Sequence, residues 1–349
     1  MHFASDNSGP VHPQVMAFLS QTNTGYAPAY GEDALMDQVR DRIRDIFEAP
    51  NAAVYLVATG TAANSLALAT LAQPWQTVFC SDVAHIHEDE CNAPEFYTGG
   101  AKLTLVPGAN KMTAPDLQTA IAGAGTRGVH GPQRGPVSIT QVTERGSAYS
   151  LDELRDLTAV AQSFDLPVHM DGARFSNALV HLNCSPADMT WRLGVDAVCF
   201  GGTKNGLMGV EAVIFFDPAK AWEFELRRKR GAHLFSKNRY LSAQMLAYLT
   251  DDLWLTSARQ ANANCARLVA GLTKAGGEIV FPPDANMVFA RLPRAAHLRA
   301  GAAGADYHLW DNIDGDDPDE MLLARFVCDW SIPTDDIDAF VTHIAGDRI

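Results

Sequence analysis

The chain has 349 residues, 47% of them hydrophobic and 19% charged, and its formal net charge is −14. This length and composition predict a soluble globular protein with two domains, or with one large domain and a smaller one. The negative charge argues against nucleic acid as a partner, because phosphate backbones require basic surfaces. No apolar run is long enough to span a membrane, and the start MHFASDNSGP lacks the pattern of a secretory signal, so we expect a cytoplasmic protein. The 6 cysteines include no CxxC pair, which favours reduced core cysteines over a disulfide frame or a zinc site.

Seven apolar runs of strand length follow a helix that is predicted in GEDALMDQVRDRIRDIFEAP. Helical patterns separate several of these runs, and one of them begins with a predicted capping box between Ser150 and Glu153. Fully apolar strands separated by helices predict an α/β fold, with a mainly parallel seven-stranded sheet covered by helices on both faces. In such sheets ligands bind at the C-terminal ends of the strands. The predicted strands are residues 53–59, 77–81, 102–107, 137–143, 166–171, 196–202 and 210–216.

After residue 217 this alternation ends. One long helical stretch, residues 238–276, is predicted to lead into a smaller C-terminal α+β unit. That unit has predicted strands in EIVFPP, NMVFARL and LLARFVCDW and a last helix in PTDDIDAFVTHIAG, while the Gly/Ala-rich residues 300–305 are predicted to form a loop. We therefore predict a large domain over residues 14–245 and a small domain over residues 246–349.

Three of the predicted strands end in residues that could bind a ligand or take part in catalysis. The first strand runs into Gly60 and Thr61 and then into a helix. This turn is a candidate phosphate-binding site, because a helix N-terminus offers free N–H groups. An ordinary strand–helix turn is the alternative. A later strand ends at Asp171, and a buried acid needs a partner. Arg174, a ligand cation or a magnesium ion are the candidates.

The segment GGTKNG places Lys204 at the end of a third strand. A lysine beside a phosphate seat and a buried acid is explained by a Schiff base with the aldehyde of pyridoxal 5′-phosphate. Asp171 would then pair with the pyridine nitrogen of the cofactor, and the turn at Gly60 would hold its phosphate. The three features occur along the chain in the order that this cofactor requires.

The segment HIHEDE follows another strand and offers an imidazole that can stack on the cofactor ring and exchange protons. We predict this role for His85. The spacing of His85 and His87 near acids is also compatible with a metal site. If the segment is extended instead, both side chains point to the same side of it and can make ordinary hydrogen bonds. The role of His87 therefore stays open, and no metal ligand is assigned.

Together these residues resemble the low-specificity L-threonine aldolases and the phenylserine aldolases grouped with them. The resemblance covers nearly the whole chain, and DGAR followed by the lysine segment is its most specific part. It implies the pyridoxal-phosphate-dependent transferase fold of type I, with the N-terminal residues 1–13 at the active site. The segments that carry it are SDN (5–7), AYGED (29–33), ATGTAAN (58–64), AH (84–85), HMDGARFSNA (169–178), TKNG (203–206), ANMVF (285–289) and ARF (324–326).

The resemblance also implies a role for each matching residue. Lys204 is expected to bind the cofactor covalently, Asp171 to pair with its pyridine nitrogen, and His85 to stack on its ring. Gly60 and Thr61 are expected at its phosphate, Thr203 and Arg174 among the other residues that bind the cofactor, and Arg239 at the phosphate of a neighbouring subunit. Substrate contacts are expected from Ser5, Tyr30, Arg174 and Arg325, where two arginines suit a planar carboxylate. The resemblance further implies a homotetramer built from dimers, with active sites at the dimer interface.

The chain departs from this family after a strand where better-known members have THNG. Here Glu144 stands in place of a histidine that helps to read the β-hydroxyl group of the substrate. The base that accepts the hydroxyl proton is therefore open among His85, His87, Glu88 and Glu144, as are the preferred side chain and stereochemistry. The implied reaction is cleavage of a β-hydroxy-α-amino acid to glycine and an aldehyde. A β-eliminating lyase or an aminotransferase would need the same cofactor residues.

Overall fold

The computed structural model describes residues 1–346, so the last three residues of the predicted small domain lie outside it. All seven strands predicted for the large sheet are present, with ends that shift by a few residues. The strands are β1 Ala53–Val57, β2 Gln76–Ser81, β3 Lys102–Val106, β4 Gln133–Thr140, β5 Val168–Gly172, β6 Ala197–Gly201, β7 Glu211–Phe215, β8 Glu278–Ile279, β9 Met287–Pro293, β10 His308–Leu309 and β11 Met321–Val327. The helices are α1 Pro13–Thr22, α2 Ala34–Ile46, α3 Gly60–Leu71, α4 His85–Glu88, α5 Ala93–Thr98, α6 Ala114–Gly123, α7 Leu151–Ser163, α8 Phe175–Leu182, α9 Pro186–Met189, α10 Ala221–Arg230, α11 Arg239–Leu249, α12 Leu253–Lys274, α13 Arg294–Ala302 and α14 Thr334–Ala345.

The large sheet has the strand order β1-β7-β6-β5-β4-β2-β3. Only β7 runs against its two neighbours, β1 and β6, so the predicted mainly parallel sheet is confirmed. Four of its strands, β1, β5, β6 and β7, are buried along their whole length, as expected for a sheet covered by helices on both faces. The C-terminal ends of β1, β2, β4, β5 and β6 therefore lie along the same edge, where they can form one site.

Local sequence signals explain where the helices near this edge begin. The side chain of Thr59 caps α3 by accepting the N–H of Ala62 at 3.2 Å. The predicted capping box of α7 is confirmed, since Ser150 and Glu153 each accept the other's backbone N–H. None of the helices in residues 1–346 is both long and apolar enough to cross a membrane.

A second, antiparallel sheet forms the smaller C-terminal part, with the order β10-β11-β9-β8. The chain's N-terminus joins this part, because Phe3 is fully buried with Phe326 and Phe340 in its core. Residues 5–7 follow directly and extend toward the edge of the large sheet. The division between residues 245 and 246 stays a prediction.

Three sequence predictions for this region need correction. The helical stretch 238–276 is two helices, α11 and α12, separated at Thr250–Asp252, where Asp251 and Asp252 have φ values of 51° and 52°. Residues 300–305 are only partly a loop, because α13 continues to Ala302. The strand predicted in EIVFPP has just two residues, since prolines at 282 and 283 lack the N–H groups that would continue it.

Candidate active site

A cavity of about 260 Å³ lies at the edge where the parallel strands end. Seven of the residues predicted for the site line it, and they come from five separate loops. Besides Thr59, four further lining residues are polar or charged and were not predicted. The predicted lining residues are Gly60, Thr61, His85, Glu144, Asp171, Thr203 and Lys204, and the others are Asn7, Asn64, Glu90 and Glu211, with Ala58, Thr59 and Ala173 completing the wall.

The first turn of α3 presents unused backbone donors to this cavity. The N–H groups of Ala62 and Ala63 are satisfied by the side chain and the carbonyl of Thr59. Within residues 1–346, the N–H groups of Gly60 and Thr61 have no hydrogen-bond partner. A Cβ on Gly60 would meet nothing within 4 Å, so the space in front of the turn is open. These features suit the binding of an anion.

Lys204 is held in a rigid turn, Thr203–Asn205, directly after β6. The amide of Asn205 donates to the hydroxyl of Tyr248 at 2.6 Å and to the carbonyl of Trp254 at 2.8 Å, which anchors the turn to α11 and α12. Glu211 accepts the N–H of Gly202 at 2.8 Å, and burial raises the pKa of Glu211 to about 7. The amino group of Lys204 itself makes no hydrogen bond or ion pair with any described residue, so it is available for chemistry.

Asp171 does not pair with Arg174, contrary to one of the alternatives drawn from the sequence. Its Oδ1 accepts the N–H of Ala173 at 3.0 Å and its Oδ2 accepts the amide of Asn64 at 2.9 Å. Both oxygens are thus oriented by donors that carry no net charge. A buried carboxylate held in this way suits a cationic partner in the cavity.

Arg174 instead makes a two-point ion pair with Asp6. Its Nε and Nη2 lie 2.7 Å and 3.0 Å from the two carboxylate oxygens, and both side chains are buried. Burial alone would raise the pKa of Asp6, but Arg174 and the amide of Asn286 outweigh it and hold that pKa below its usual range. This ion pair could not be predicted from the sequence, because no local pattern connects two residues that are 168 positions apart. The third nitrogen, Nη1, makes no hydrogen bond in the described part of the chain.

His85 begins the short helix α4, so the extended segment considered from the sequence is wrong here. Its Nδ1 lies 3.0 Å from Oε1 of the buried Glu90. This hydrogen bond raises the pKa of His85 above its ordinary value, although partial burial acts in the opposite direction. The neighbouring His87 and Glu88 are exposed and do not line the cavity. Among residues 1–346 no group of three or more His, Cys, Asp or Glu is placed to hold a metal ion.

Of the remaining predicted substrate residues, Ser5 and Arg325 are not part of the cavity wall, whereas Glu144 is. Arg325 donates to the carbonyl of Ala4 at 3.2 Å and stacks 5.6 Å from the ring of Trp310, while its Nε is buried without a partner among the described residues. Ser5 accepts the N–H of Asn7 at 3.1 Å. Glu144 lines the cavity without a side-chain hydrogen bond within residues 1–346, and burial raises its pKa.

Two further predicted residues, Arg239 and Tyr30, make contacts elsewhere in their own chain. Arg239 donates to the carbonyls of Thr24 and Gly25, both at 3.2 Å, and Tyr30 is 45% exposed. Neither residue lines the cavity. The positions of Arg239 and Tyr30 are compatible with a role in the active site of a neighbouring subunit. That role, which the resemblance implies, stays a prediction.

The comparisons with known proteins agree with this geometry. The beta-eliminating lyase family model matches residues 2–295. The chain belongs to the beta-eliminating lyase family. It is 40% identical over 331 residues to a low-specificity L-threonine aldolase from Pseudomonas aeruginosa, covering 94% of this chain and 92% of the relative. It is also 39% identical over 348 residues to a low-specificity L-threonine aldolase from Pseudomonas sp., covering 99% and 96%.

Solved structures show the same fold. A threonine aldolase from Leishmania major superposes with a TM-score of 0.90 at 25% identity, covering 98% of both chains. A serine palmitoyltransferase from S. paucimobilis superposes with a TM-score of 0.71 at 15% identity, covering 99% of this chain and 86% of that one. The fold is that of the type I pyridoxal-phosphate enzymes, and this chain is a pyridoxal-phosphate-dependent lyase of the aldolase type.

The residues around the cavity fit pyridoxal phosphate. Free N–H groups at a helix N-terminus suit its phosphate, an unpaired lysine suits its aldehyde, and an oriented carboxylate suits its pyridinium. Sequence reasoning missed Asn64, Glu90 and Glu211, which complete the polar wall. One signal was present for Glu211, because it is the single acid in the otherwise apolar strand EAVIF.

Proposed function

We propose that this enzyme cleaves L-threonine, L-allo-threonine and L-phenylserine-type β-hydroxy-α-amino acids to glycine and an aldehyde by a retro-aldol reaction. The observation that carries the proposal is that Lys204, Asp171 and His85 line one cavity together with the anion site at Gly60 and Thr61. The relatives named as low-specificity L-threonine aldolases support the choice of reaction.

The cofactor residues have distinct tasks in this proposal. When bound, pyridoxal phosphate supplies an electron sink for the electron pair of the Cα–Cβ bond. Lys204 would hold its aldehyde carbon, Asp171 its pyridine nitrogen, and Gly60, Thr61 and Thr203 its phosphate. Because the turn around Lys204 is anchored, the lysine does not have to be immobilised at an entropic cost during the reaction.

The substrate carboxylate is assigned to Ser5, Arg174 and Arg325. Arg325 has a buried, unpaired Nε, and Arg174 keeps Nη1 free while Asp6 holds the rest of its guanidinium. A carboxylate fixed by two such groups would orient the Cα–Cβ bond for cleavage. Anchoring of this kind leaves the substrate side chain unrestrained by the arginines, which suits an enzyme that accepts several aldehydes.

His85 is the proposed base for the β-hydroxyl proton. Its Nδ1 is occupied by Glu90, so the other nitrogen, Nε2, is left to exchange a proton. Glu144 is the second candidate, because it lines the same cavity and burial brings its pKa up toward the working range. The exposed His87 and Glu88 are less suitable, since neither lines the cavity.

We also propose a cytoplasmic homotetramer built from dimers. In this arrangement Arg239 and Tyr30 would face the active site of the neighbouring subunit, which accounts for their absence from the wall of their own chain's cavity. The substitution Arg239→Gln is then expected to weaken cofactor binding. Equilibrium dialysis of pyridoxal phosphate against the variant measures this, and unchanged retention would contradict the shared site.

The proposed specificity is tested by kcat/KM for the three substrates with pyridoxal phosphate present and no keto acid. We expect release of glycine and aldehyde from all three. Replacement His85→Asn should lower kcat by roughly 10²-fold or more, because general-base catalysis contributes about that much. If most of kcat survives in His85→Asn, His85 is not the base.

A β-elimination reaction is the second candidate, favoured by the description of the matching family. Such a reaction would release ammonia and a keto acid instead of glycine. L-Serine offered as a substrate separates the two, because elimination from it yields pyruvate and ammonia, whereas cleavage yields glycine and formaldehyde.

A further inference from the structure

A chain of three hydrogen bonds joins His85 to Asp171 along the wall of the cavity. Nδ1 of His85 lies 3.0 Å from Oε1 of Glu90, and the amide of Asn64 donates to that same oxygen at 3.0 Å. The amide also donates to Oδ2 of Asp171 at 2.9 Å. Glu90 and Asn64 have no part in the reaction as proposed so far, yet both line the cavity.

The orientation of Asn64 follows from its two neighbours. Each of its two amide hydrogens has one carboxylate as its acceptor, and the reversed amide would place its oxygen against both negative charges. Asn64 therefore separates Glu90 from Asp171 and favours the ionised form of each. Asn64 is only 2% exposed, so the residues packed around it keep its side chain in this orientation.

Glu90 has an unusual environment for a carboxylate. It is 3% exposed, its second oxygen Oε2 has no partner within residues 1–346, and no lysine or arginine forms an ion pair with it in that part of the chain. Burial raises the pKa of Glu90, and the hydrogen bonds from His85 and Asn64 oppose this rise. Within residues 1–346, the hydrogen-bonded neighbour of Glu90 that can carry a compensating positive charge is the imidazole of His85.

We propose that Glu90 is a positioning residue which keeps a proton on Nδ1 of His85 and thereby leaves Nε2 free to accept the β-hydroxyl proton. Asn64 holds the Glu90 carboxylate in place and links it to Asp171. A carboxylate that accepts the Nδ1 hydrogen fixes the ring's tautomer and orientation, and it stabilises the imidazolium that forms when Nε2 takes up a proton. This inference rests on the proposed role of His85 as the base.

The substitution Glu90→Gln isolates the charge from the hydrogen bonds. The amide oxygen of glutamine can replace Oε1 and accept from both His85 and Asn64, while its nitrogen takes the place of the unpartnered Oε2. Loss of the negative charge should lower the pKa of His85 by about one unit. The other charged groups that face His85, namely Glu144, Asp171 and Lys204, are unchanged in this variant.

The pKa is measured by NMR titration of the holoenzyme labelled with ¹³C at the histidine rings, with the His85 signal assigned from a His85→Gln sample. The acidic limb of kcat should move to lower pH by the same amount, with KM within about threefold of wild type. Glu95→Gln is the matched control, since Glu95 also has a buried, unpartnered oxygen among the described residues but makes no contact with His85. It should leave both quantities unchanged.

The conservative variant Glu90→Asp retains the charge at a greater distance and should give an intermediate pKa. Asn64→Ala should move the pKa of His85 upward, because Glu90 then keeps His85 as its only hydrogen-bond donor. An unchanged His85 pKa in Glu90→Gln would overturn the role of Glu90, and a downward or absent shift in Asn64→Ala would overturn that of Asn64.

These outcomes are separable from the proposed function. If Glu90→Gln shifts the pKa of His85 while His85→Asn keeps most of kcat, the positioning network stands and the base is another group. If His85→Asn abolishes turnover while Glu90→Gln leaves the pKa in place, the base stands and the network is refuted.

Discussion

The cofactor side and the substrate side of the cavity differ in how completely their polar groups are satisfied. Around the cofactor, both oxygens of Asp171 and both amide hydrogens of Asn64 already have partners. On the substrate side, Arg325 has an unpaired buried Nε and Glu144 has no side-chain hydrogen bond in the described part of the chain. The difference indicates that the protein alone orients the Asp171 carboxylate, whereas a bound substrate would complete the arginine side.

The largest effect is expected at Lys204, which lines the cavity without a hydrogen bond or ion pair to any described residue. Lys204→Ala should reduce turnover by at least about 10³-fold, because the covalent link to the cofactor is lost. It should also remove the visible absorbance that this link gives to the purified protein. Lys102→Ala, at an exposed position of β3, is the control and should keep both. An absorbance band that survives in Lys204→Ala would assign the link to another residue.

The next largest effect concerns Asp6, the residue that satisfies Arg174. Asp6→Asn leaves a buried guanidinium without its counter-charge and should lower the free energy of unfolding by about 3 kcal/mol at neutral pH. The control Asp338→Asn breaks a solvent-exposed pair with Arg267 and should change stability far less. Urea denaturation measures both. Equal losses would mean that burial does not strengthen the Asp6–Arg174 pair.

The Asp6 effect should also depend on pH. Because the folded-state pKa of Asp6 lies below its unfolded value, its contribution is complete above the unfolded pKa and is lost as pH falls through the folded pKa. The difference in stability between wild type and Asp6→Asn should therefore shrink once pH falls below about 4. A difference that stays constant down to the lowest pH at which the protein is folded would contradict this assignment.

A smaller effect is expected from the unpaired arginine. Arg325→Gln should raise KM roughly 10- to 100-fold, because a charged hydrogen bond to the substrate carboxylate is worth about 1.5–3 kcal/mol. The protein should lose little stability, since among the described residues Arg325 donates a single hydrogen bond, to the carbonyl of Ala4, and its Nε has no partner. Arg291→Gln on the neighbouring strand β9 serves as the control for KM. A fall in kcat without a change in KM would exclude direct carboxylate binding.

The smallest effect is expected at Glu144. Glu144→Gln should change kcat/KM for L-threonine less than about tenfold, because no partner orients this carboxyl group for proton transfer. Steady-state assays from pH 6 to 9 would detect it, with His85→Asn in parallel. If Glu144→Gln loses as much activity as His85→Asn, Glu144 is the base. The lack of hydrogen bonds at Glu144 would then not separate it from the groups that carry out the reaction.

The fold was largely predictable because each strand of the large sheet is a continuous apolar run with small or polar residues at its end. Lys204 and Asp171 were found in the same way, since a lysine and an acid after such strands are conspicuous. The break at Asp251 and Asp252 was not found, because the helical pattern of apolar residues continues on both sides of it. Only the left-handed backbone of these two residues shows that the helix stops and restarts.

The connections between site residues were much less predictable. Asn64 looks like any polar residue of a helix, and Glu90 is one of three acids in HIHEDE. Their roles depend on how α3 packs beside the segment after β2, which no local pattern encodes. The pairing of Arg174 with Asp6 instead of Asp171 is a similar case, because the nearest acid along the chain is not the nearest in space.

The most direct test of the account is a product balance with L-threonine and the cofactor-loaded enzyme. Glycine, acetaldehyde, ammonia and keto acid would be quantified in the same reaction, with no amino acceptor added. The account predicts glycine and acetaldehyde in equal amounts, without ammonia or keto acid. Formation of ammonia and 2-oxobutyrate in place of glycine would contradict it, and would assign the same cavity to β-elimination.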